Sequence, residues 1–280
     1  MTRLVHLSDL HFGRARPELL EPLLEAVAAA APDVVAVSGD LTQRARESQF
    51  ADAADFLDRI PAPVLCVPGN HDIPLENWPM RLLRPFLAYR RGIGGDLEPE
   101  MLVNAREGPV RVIGLNTVTP FLWQRGWLTR GAVRRACARL GAGDAAFNVL
   151  VAHHPFSHAP DARKALMKGA ARAAGALSDC GADVILCGHL HAWRTTPFVR
   201  RQGRAGALQI QVGTSLSNRG RGEPNDFAVL DFADPRLRVA RMAWDGAGFA
   251  ELEARDWLRT PDGWEAQEAR DAAEPALHIS

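Results

Sequence analysis

Lysine is nearly missing from this chain. Of 33 Lys and Arg residues among 280, only Lys164 and Lys168 are lysine. Together with the alanine-rich runs, this reflects a GC-rich coding sequence rather than function, so abundance alone gives arginine chemistry no weight. Net charge is missing too. The 33 basic residues meet 33 acidic ones, which argues against holding nucleic acid by bulk electrostatics. Cysteine is scarce. Cys66, Cys137, Cys180 and Cys187 are far apart, and no pair has the C-x-x-C spacing of a zinc knuckle or a redox motif. Cys66 and Cys187 lie in apolar runs and read as small core residues. No disulfide framework is suggested, which fits a reducing compartment. No stretch approaches the ~20 apolar residues that span a bilayer. The opening MTRLVHLSDLHFG has neither an apolar h-region nor a small-residue cleavage site. A soluble cytoplasmic protein is the expectation. At 47% hydrophobic and 24% charged residues, the composition excludes disorder as the main reading. The length suits one large domain or two small ones.

The first third alternates between two periods. Residues 3–8 form a short apolar run, and 17–31 have helical spacing with Pro17 at the start. Residues 34–38 (VVAVS) are β-branched, 44–59 look helical, and 63–67 (PVLCV) read as a third strand. This β-α-β-α-β pattern predicts a parallel sheet covered by helices. Residues 73–100 hold Pro74, Pro79, Pro85 and Pro99 and read as loops or short helices. Strands are expected near 101–104, 110–115, 147–152 and 183–187. Helices are expected at 129–140, with Thr129 as N-cap, and at 162–179. The runs 207–212, 227–232 and 237–244 are expected to be strands of a second sheet. Periodicity is weak after about 250, and the last ten residues read as a disordered tail. Asp33, Asp179 and Asp183 look like punctuation between helices and strands, and His6, inside the first strand, reads as core.

Chemistry gathers at the strand ends. In order they give Asp9-x-His11, Gly39-Asp40, Gly69-Asn70-His71-Asp72, His153-His154-Pro155 and Gly188-His189-x-His191. Parallel strands bring their C-terminal ends to one crevice, so residues far apart in sequence can meet there. Imidazole, carboxylate and amide oxygen suit zinc, manganese and iron. A pair of cations ~3.5–4 Å apart also needs a bridging ligand, which a carboxylate supplies. The glycines beside Asp40, Asn70 and His189 permit sharp turns off a strand. Any one of these blocks is weak. All five in this order, holding six of the nine histidines, are not read as a set of satisfied core residues.

Over roughly residues 1–245 the chain resembles the calcineurin-like metallophosphoesterases. Their pattern is D-x-H, G-D, G-N-H followed by Asp or Glu, a lone His, and G-H-x-H, and every element is present. The resemblance implies a four-layer α/β/β/α sandwich, with two mixed sheets, flanking helices and a dinuclear centre. By resemblance, one metal is held by Asp9, His11, Asp40 and His191. The other is held by Asp40, Asn70, His153 and His189, with Asp40 bridging. The family pattern favours His153 over His154 as ligand and puts His154 near the substrate. His71 is then the histidine that meets substrate, oriented by Asp72. The implied reaction is attack on phosphorus by a hydroxide bridging two divalent ions (Mn2+, Fe2+/Fe3+ or Zn2+), with His71 stabilising phosphoryl oxygens or protonating the leaving group.

In its D-x-H-F-G opening, its G-N-H-D block and its compact length the chain resembles the bacterial class III cyclic-nucleotide phosphodiesterases. The leading expectation is therefore a phosphodiesterase acting on small (cyclic) nucleotides or related diesters. Three alternatives stand beside it: a pyrophosphohydrolase of nucleotide-diphosphate lipids (UDP-diacylglucosamine type), a single-strand nuclease, and a non-catalytic scaffold. The lipid-precursor branch carries Arg where this chain has His71, the nucleases carry additions this chain has no room for, and the scaffolds lose ligands that are all present here. Expected partners are a small phosphoester, with no stable nucleic-acid complex and no transmembrane segment; a homodimer is left open. The expected domain is 1–250, with 73–100 and 214–226 bordering the cleft and 251–280 as a C-terminal extension. Several residues keep two readings. Arg14 reaches a phosphate or is a solvated turn residue. Asn116 and Thr117 line the cleft or merely end a strand. Residues 214–226 carry Arg219 or Arg221 to substrate or form a plain hairpin loop. Trp78, Trp123 and Trp127 wall a pocket or pack inside.

Overall fold

In a computed structural model the described residues are 1–104, 108–158, 164–197, 206–220 and 222–267. The parallel strands are β1 (Thr2–Leu7), β2 (Val34–Val37) and β3 (Val64–Cys66), linked by α1 (Leu20–Ala30) and α2 (Glu47–Asp58). Burial on both faces explains their continuous apolar runs. Alternation along β1 sends Val5 and Leu7 to the side of Leu23, Leu24 and Val27 of α1, and Leu4 to the opposite side, among residues of a second sheet.

That second sheet has six strands in the order β4-β5-β6-β7-β9-β8. These are β4 (Glu100–Val103), β5 (Val110–Leu115), β6 (Phe147–Ala152), β7 (Val184–Cys187), β8 (Arg194–Pro197) and β9 (Leu208–Gln211). Strands β5, β6, β7 and β9 are parallel. Val149 and Val151 face the first sheet. Leu150 and Ala152 face α5 (Arg130–Leu140) and α6 (Ala170–Asp179). Three apolar cores thus separate four layers, the α/β/β/α sandwich expected. Thr129 caps α5 as expected, its hydroxyl accepting the Ala132 N–H at 3.2 Å. The 73–100 excursion carries two short helices, α3 (Trp78–Leu83) and α4 (Leu87–Gly92).

The structure differs from the sequence reading in four places. The runs near 227 and 237 do not join the second sheet. They form β10 (Asp226–Ala233) and β11 (Arg236–Trp244), and β10 lies antiparallel against the free edge of β1, with Leu4 opposite Leu230. Alternation tells which faces of a strand are buried but not which sheet it enters. Described residues after 250 form strands: β12 (Phe249–Thr260) runs straight through the expected boundary, and β13 (Gly263–Ala266) follows. Most of β12 is exposed, so it has no apolar alternation to read, yet Trp257 and Trp264 return to the inter-sheet core. Together they complete a seven-stranded sheet, β13-β12-β11-β10-β1-β2-β3. The helix expected from 162 begins only at Ala170, after Gly169 with φ 88°. Finally, Cys137 on α5 and Cys180 at the end of α6 form a disulfide across 43 residues, where none was expected. Two helices packed side by side bring these cysteines together, which linear spacing does not reveal. Cys66 and Cys187 are free and buried, as read. The last ten residues lie outside the described ones.

Candidate metal centre

The C-terminal ends of β1, β2, β3, β6 and β7 bring the five motif blocks together. Asp9, His11, Asp40, Asn70, His71, His153, His154, His189 and His191 are each at most 5% exposed. Four atoms from Asp9, His11, Asp40 and His191 lie within 4.8 Å of one another, and atoms of His153, His154 and His189 form a second such group. Asp40 stands between the two. Its Oδ2 is 3.6 Å from His11 Nε2 and 3.4 Å from His153 Nε2. Asn70 Oδ1 is 3.1 Å from the same His153 nitrogen.

The backbone here is strained. Seven non-glycine residues among the described ones have positive φ, and five of them are Asp9, His11, Asp40, His189 and His191. Such left-handed residues cost of order 1–3 kcal/mol each and persist where the surroundings over-determine them. The glycines were expected to make the turns, but only Gly39, with φ 91°, does so. Gly188 serves by lacking a side chain: a Cβ there would lie 1.9 Å from Ser8 Oγ and 2.3 Å from Asp9 Oδ2.

Hydrogen bonds orient Asp9, His153 and His191, whereas His11 Nδ1 is buried without a hydrogen-bond partner. Asp9 Oδ2 accepts from Ser8 Oγ at 2.6 Å and from the His189 N–H at 2.9 Å. Its Oδ1 has no hydrogen bond of acceptable geometry and lies 3.0 Å from His191 Nε2. His153 Nδ1 meets the Ser38 carbonyl at 2.9 Å, and His191 Nδ1 meets the Arg219 carbonyl at 3.0 Å. Each bond leaves Nε2 facing the cluster, the usual support of a metal-binding imidazole. His154 differs. Its Nδ1 lies 2.8 Å from Thr117 Oγ1 and its Nε2 3.3 Å from the Gln124 carbonyl, so both ring nitrogens already have protein partners.

Charge follows from this packing. Burial opposes ionisation of Asp9 and Asp40, but the facing histidines outweigh it and hold both carboxyls well below their usual range. Burial also disfavours a charged His153, yet Asp40 overcomes it and lifts that pKa to about 9. His154 and His189 are pushed well down by burial and then by neighbouring histidines. A proton therefore rests on His153 over Asp40, and a cation binding there must displace it. The buried oxygen of Asp9 and the nitrogen–oxygen donor set both fit borderline divalent metals.

One expectation changes. Asp72 does not orient His71. Its carboxylate accepts from the N–H groups of Leu41 (3.1 Å), Thr42 (2.8 Å) and Gly69 (2.8 Å), and so ties the second motif block to the third. His71 is oriented by the Gln43 carbonyl, 2.9 Å from Nδ1. Its Nε2 faces Arg219 Nη1 at 3.0 Å. A guanidinium only donates, so Nε2 accepts and the His71 proton sits on Nδ1. Burial, partly offset by Asp40, lowers the His71 pKa to about 4.

Sequence reasoning undervalued three groups. Arg219, read equally as part of a plain loop, reaches the site. Thr117 is buried against His154. His6, read as core, starts a polar chain: its Nε2 is 2.9 Å from Ser38 Oγ, which donates to Ser8 Oγ at 2.8 Å, which donates to Asp9. Alternation offered a clue, because His6 and Ser38 are polar residues in otherwise apolar strands. Trp78, Trp123 and Trp127 are all exposed rather than packed inside, with Trp78 and Trp123 6.0 Å apart. Arg14 lies at the mouth, and Arg221 is outside the described residues.

Residues 2–193 match the calcineurin-like phosphoesterase family model. The chain belongs to the calcineurin-like phosphoesterase family. It is a metal-dependent phosphoester hydrolase, and the non-catalytic scaffold is set aside. Solved structures agree on the fold. A dimetal phosphatase from Danio rerio aligns over 91% of this chain and 98% of its own at 15% identity, with a TM-score of 0.63. The structure of PhoD aligns over 96% and 72% at 10% identity, with a TM-score of 0.69. A purple acid phosphatase from yellow lupin (Lupinus luteus) aligns over 89% of this chain at 14% identity and a TM-score of 0.60, but this chain spans only 52% of it. No curated protein matches the chain. No helix among the described residues is long and apolar enough to cross a membrane.

Proposed function

We propose that this phosphoesterase is a dinuclear phosphodiesterase acting on small (cyclic) nucleotides or related diesters. The position of Asp40 Oδ2, between an imidazole of one donor group and an imidazole of the other, carries the reading. Asp9, His11, Asp40 and His191 hold one cation, and Asp40, Asn70, His153 and His189 hold the other. His153 is preferred to His154 because its Nε2 faces Asp40 and Asn70, while both His154 nitrogens are engaged elsewhere. When bound, two such cations supply an acidified water and positive charge against the phosphoryl oxygens.

The remaining work falls to the chain. The shared Asp40 and the strained turns hold the donors at fixed separation, so little reorganisation accompanies reaction. His71 Nε2 points to the mouth, where a leaving oxygen can take a proton from it once the imidazole is protonated. Arg219 supplies permanent positive charge beside it. Thr117 and Gln124 hold His154 as a wall of the same cleft. The test is a substrate panel with Mn2+, comparing bis-p-nitrophenyl phosphate, p-nitrophenyl phosphate, 2′,3′- and 3′,5′-cyclic nucleotides, a nucleotide-diphosphate lipid and single-stranded DNA. Metal-dependent cleavage of small diesters is expected. DNA cleavage without small-diester turnover would replace this reading with the nuclease.

A further inference from the structure

Beside the metal centre lies a cavity of ≈ 370 Å³ bordered by Arg14, Arg44, His71, Glu76, Trp123 and Arg219. Its charge is unbalanced. Arg44 Nε lies 3.3 Å from Glu76. Arg14 and Arg219 have no carboxylate partner among the described residues, and Arg219 donates instead to His71 Nε2 at 3.0 Å and to Gln43 Oε1 at 3.4 Å. The backbone brings the two residues to the same cavity. The turn after His11 pairs with the segment after β9: Arg16 N–H donates to the Leu216 carbonyl at 2.9 Å, and Asn218 N–H to the Arg14 carbonyl at 3.2 Å. That segment is tied in turn to the metal loop, Ser215 N–H donating to the Ser8 carbonyl at 3.0 Å and Thr214 Oγ1 to the Asp9 carbonyl at 2.6 Å. Arg219 therefore serves two ends. Its carbonyl orients His191, and its side chain leans into the cavity over His71.

The scissile phosphoester of a small diester carries one negative charge, and the metal centre is built to receive it. Arg14 and Arg219, without carboxylate partners among the described residues, bring more positive charge to this cavity than that one phosphoester calls for. We propose that Arg14 and Arg219 form a second anion subsite, so that the substrate carries a further phosphate group next to the ester that is cleaved. This rests on the phosphodiesterase reading and narrows it to phosphorylated diesters. Guanidinium suits the task because its planar donors match phosphate oxygens two at a time. The hydrogen bonds of Arg219 to His71 and Gln43 reduce the ordering cost of that side chain.

Calorimetric titration of the Mn2+-loaded protein with adenosine 3′,5′-bisphosphate and with 5′-AMP tests the subsite, and bis-p-nitrophenyl phosphate turnover with Mn2+ tests the reading beneath it. The bisphosphate should bind about tenfold more tightly than AMP, as expected for an added charge-assisted contact. Arg219→Gln should weaken the bisphosphate about tenfold more than AMP, Arg219→Lys should restore part of that difference, and Arg14→Gln should lower it independently. Metal content of Arg219→Gln should stay at the wild-type level, because His191 leans on the carbonyl and not on the side chain. Equal affinity for the two ligands in the wild type, or equal loss for both in the variants, overturns the subsite. Absence of Mn2+-dependent turnover in the wild type, with the binding preference intact, overturns the phosphodiesterase reading and leaves the subsite standing.

Discussion

The floor and the rim of this cleft are built on opposite terms. On the floor, the seven metal-ligand candidates are at most 5% exposed, five hold left-handed backbone, and main-chain carbonyls fix His153 and His191. On the rim, Phe121 is 74% exposed, Trp78 55% and Trp123 49%. Even so, the rim is not loose. Arg81, buried on α3, donates to the carbonyls of Pro74 (3.0 Å), Pro120 (2.9 Å) and Leu122 (2.8 Å), clamping the two aromatic segments together. The floor spends strain and desolvation to fix one geometry for one kind of chemistry. The rim spends little beyond its clamp, so its side chains are free to vary with substrate.

The sharpest way to break this contrast is at the floor's centre. Asp40→Ala should lose both metals and lower turnover by ~10⁴-fold or more, since several kcal/mol of charge stabilisation goes with them. Full metal content by elemental analysis, with activity retained, would remove Asp40 from its bridging place. His71→Ala sits at the boundary and should keep both metals while lowering kcat by ~10²–10⁴-fold, the range for acid–base groups. Unchanged turnover would assign His71 to the rim. The smallest effect is expected beneath the floor. Burial holds His6 at about 3, against an ordinary 6.5. Its folded pKa is depressed, so its contribution is present above pH 6.5 and is lost as pH falls toward 3, where the unfolded chain takes a proton the folded chain refuses. The slope is about 1.4 kcal/mol per pH unit at most. Urea denaturation between pH 7 and 4.5 should therefore show a shallower loss for His6→Gln than for the wild type. Parallel curves would mean that His6 is not buried neutral.

The site was more legible than the fold around it. Its residues fall at strand ends, and residue type alone identifies imidazole, carboxylate and amide donors. The rim was less so: Arg219 sits in a polar loop whose composition says only that it turns. Residue type also gave no hint that His71 would be oriented by the Gln43 carbonyl rather than by Asp72, because main-chain acceptors are the same in every residue.

What the sequence determined by itself is the chemistry: five blocks, their order and their donor atoms, because those depend on side-chain type and on the short range over which a strand ends in a turn. Only the tertiary structure decided which sheet β10 and β11 joined, that β12 and β13 would extend it, that Cys137 would meet Cys180, and that Arg14 and Arg219 would lie in one cavity. Each of these is a meeting of segments far apart in the chain. Periodicity reports which face of an element is buried, and it carries no information about what covers that face.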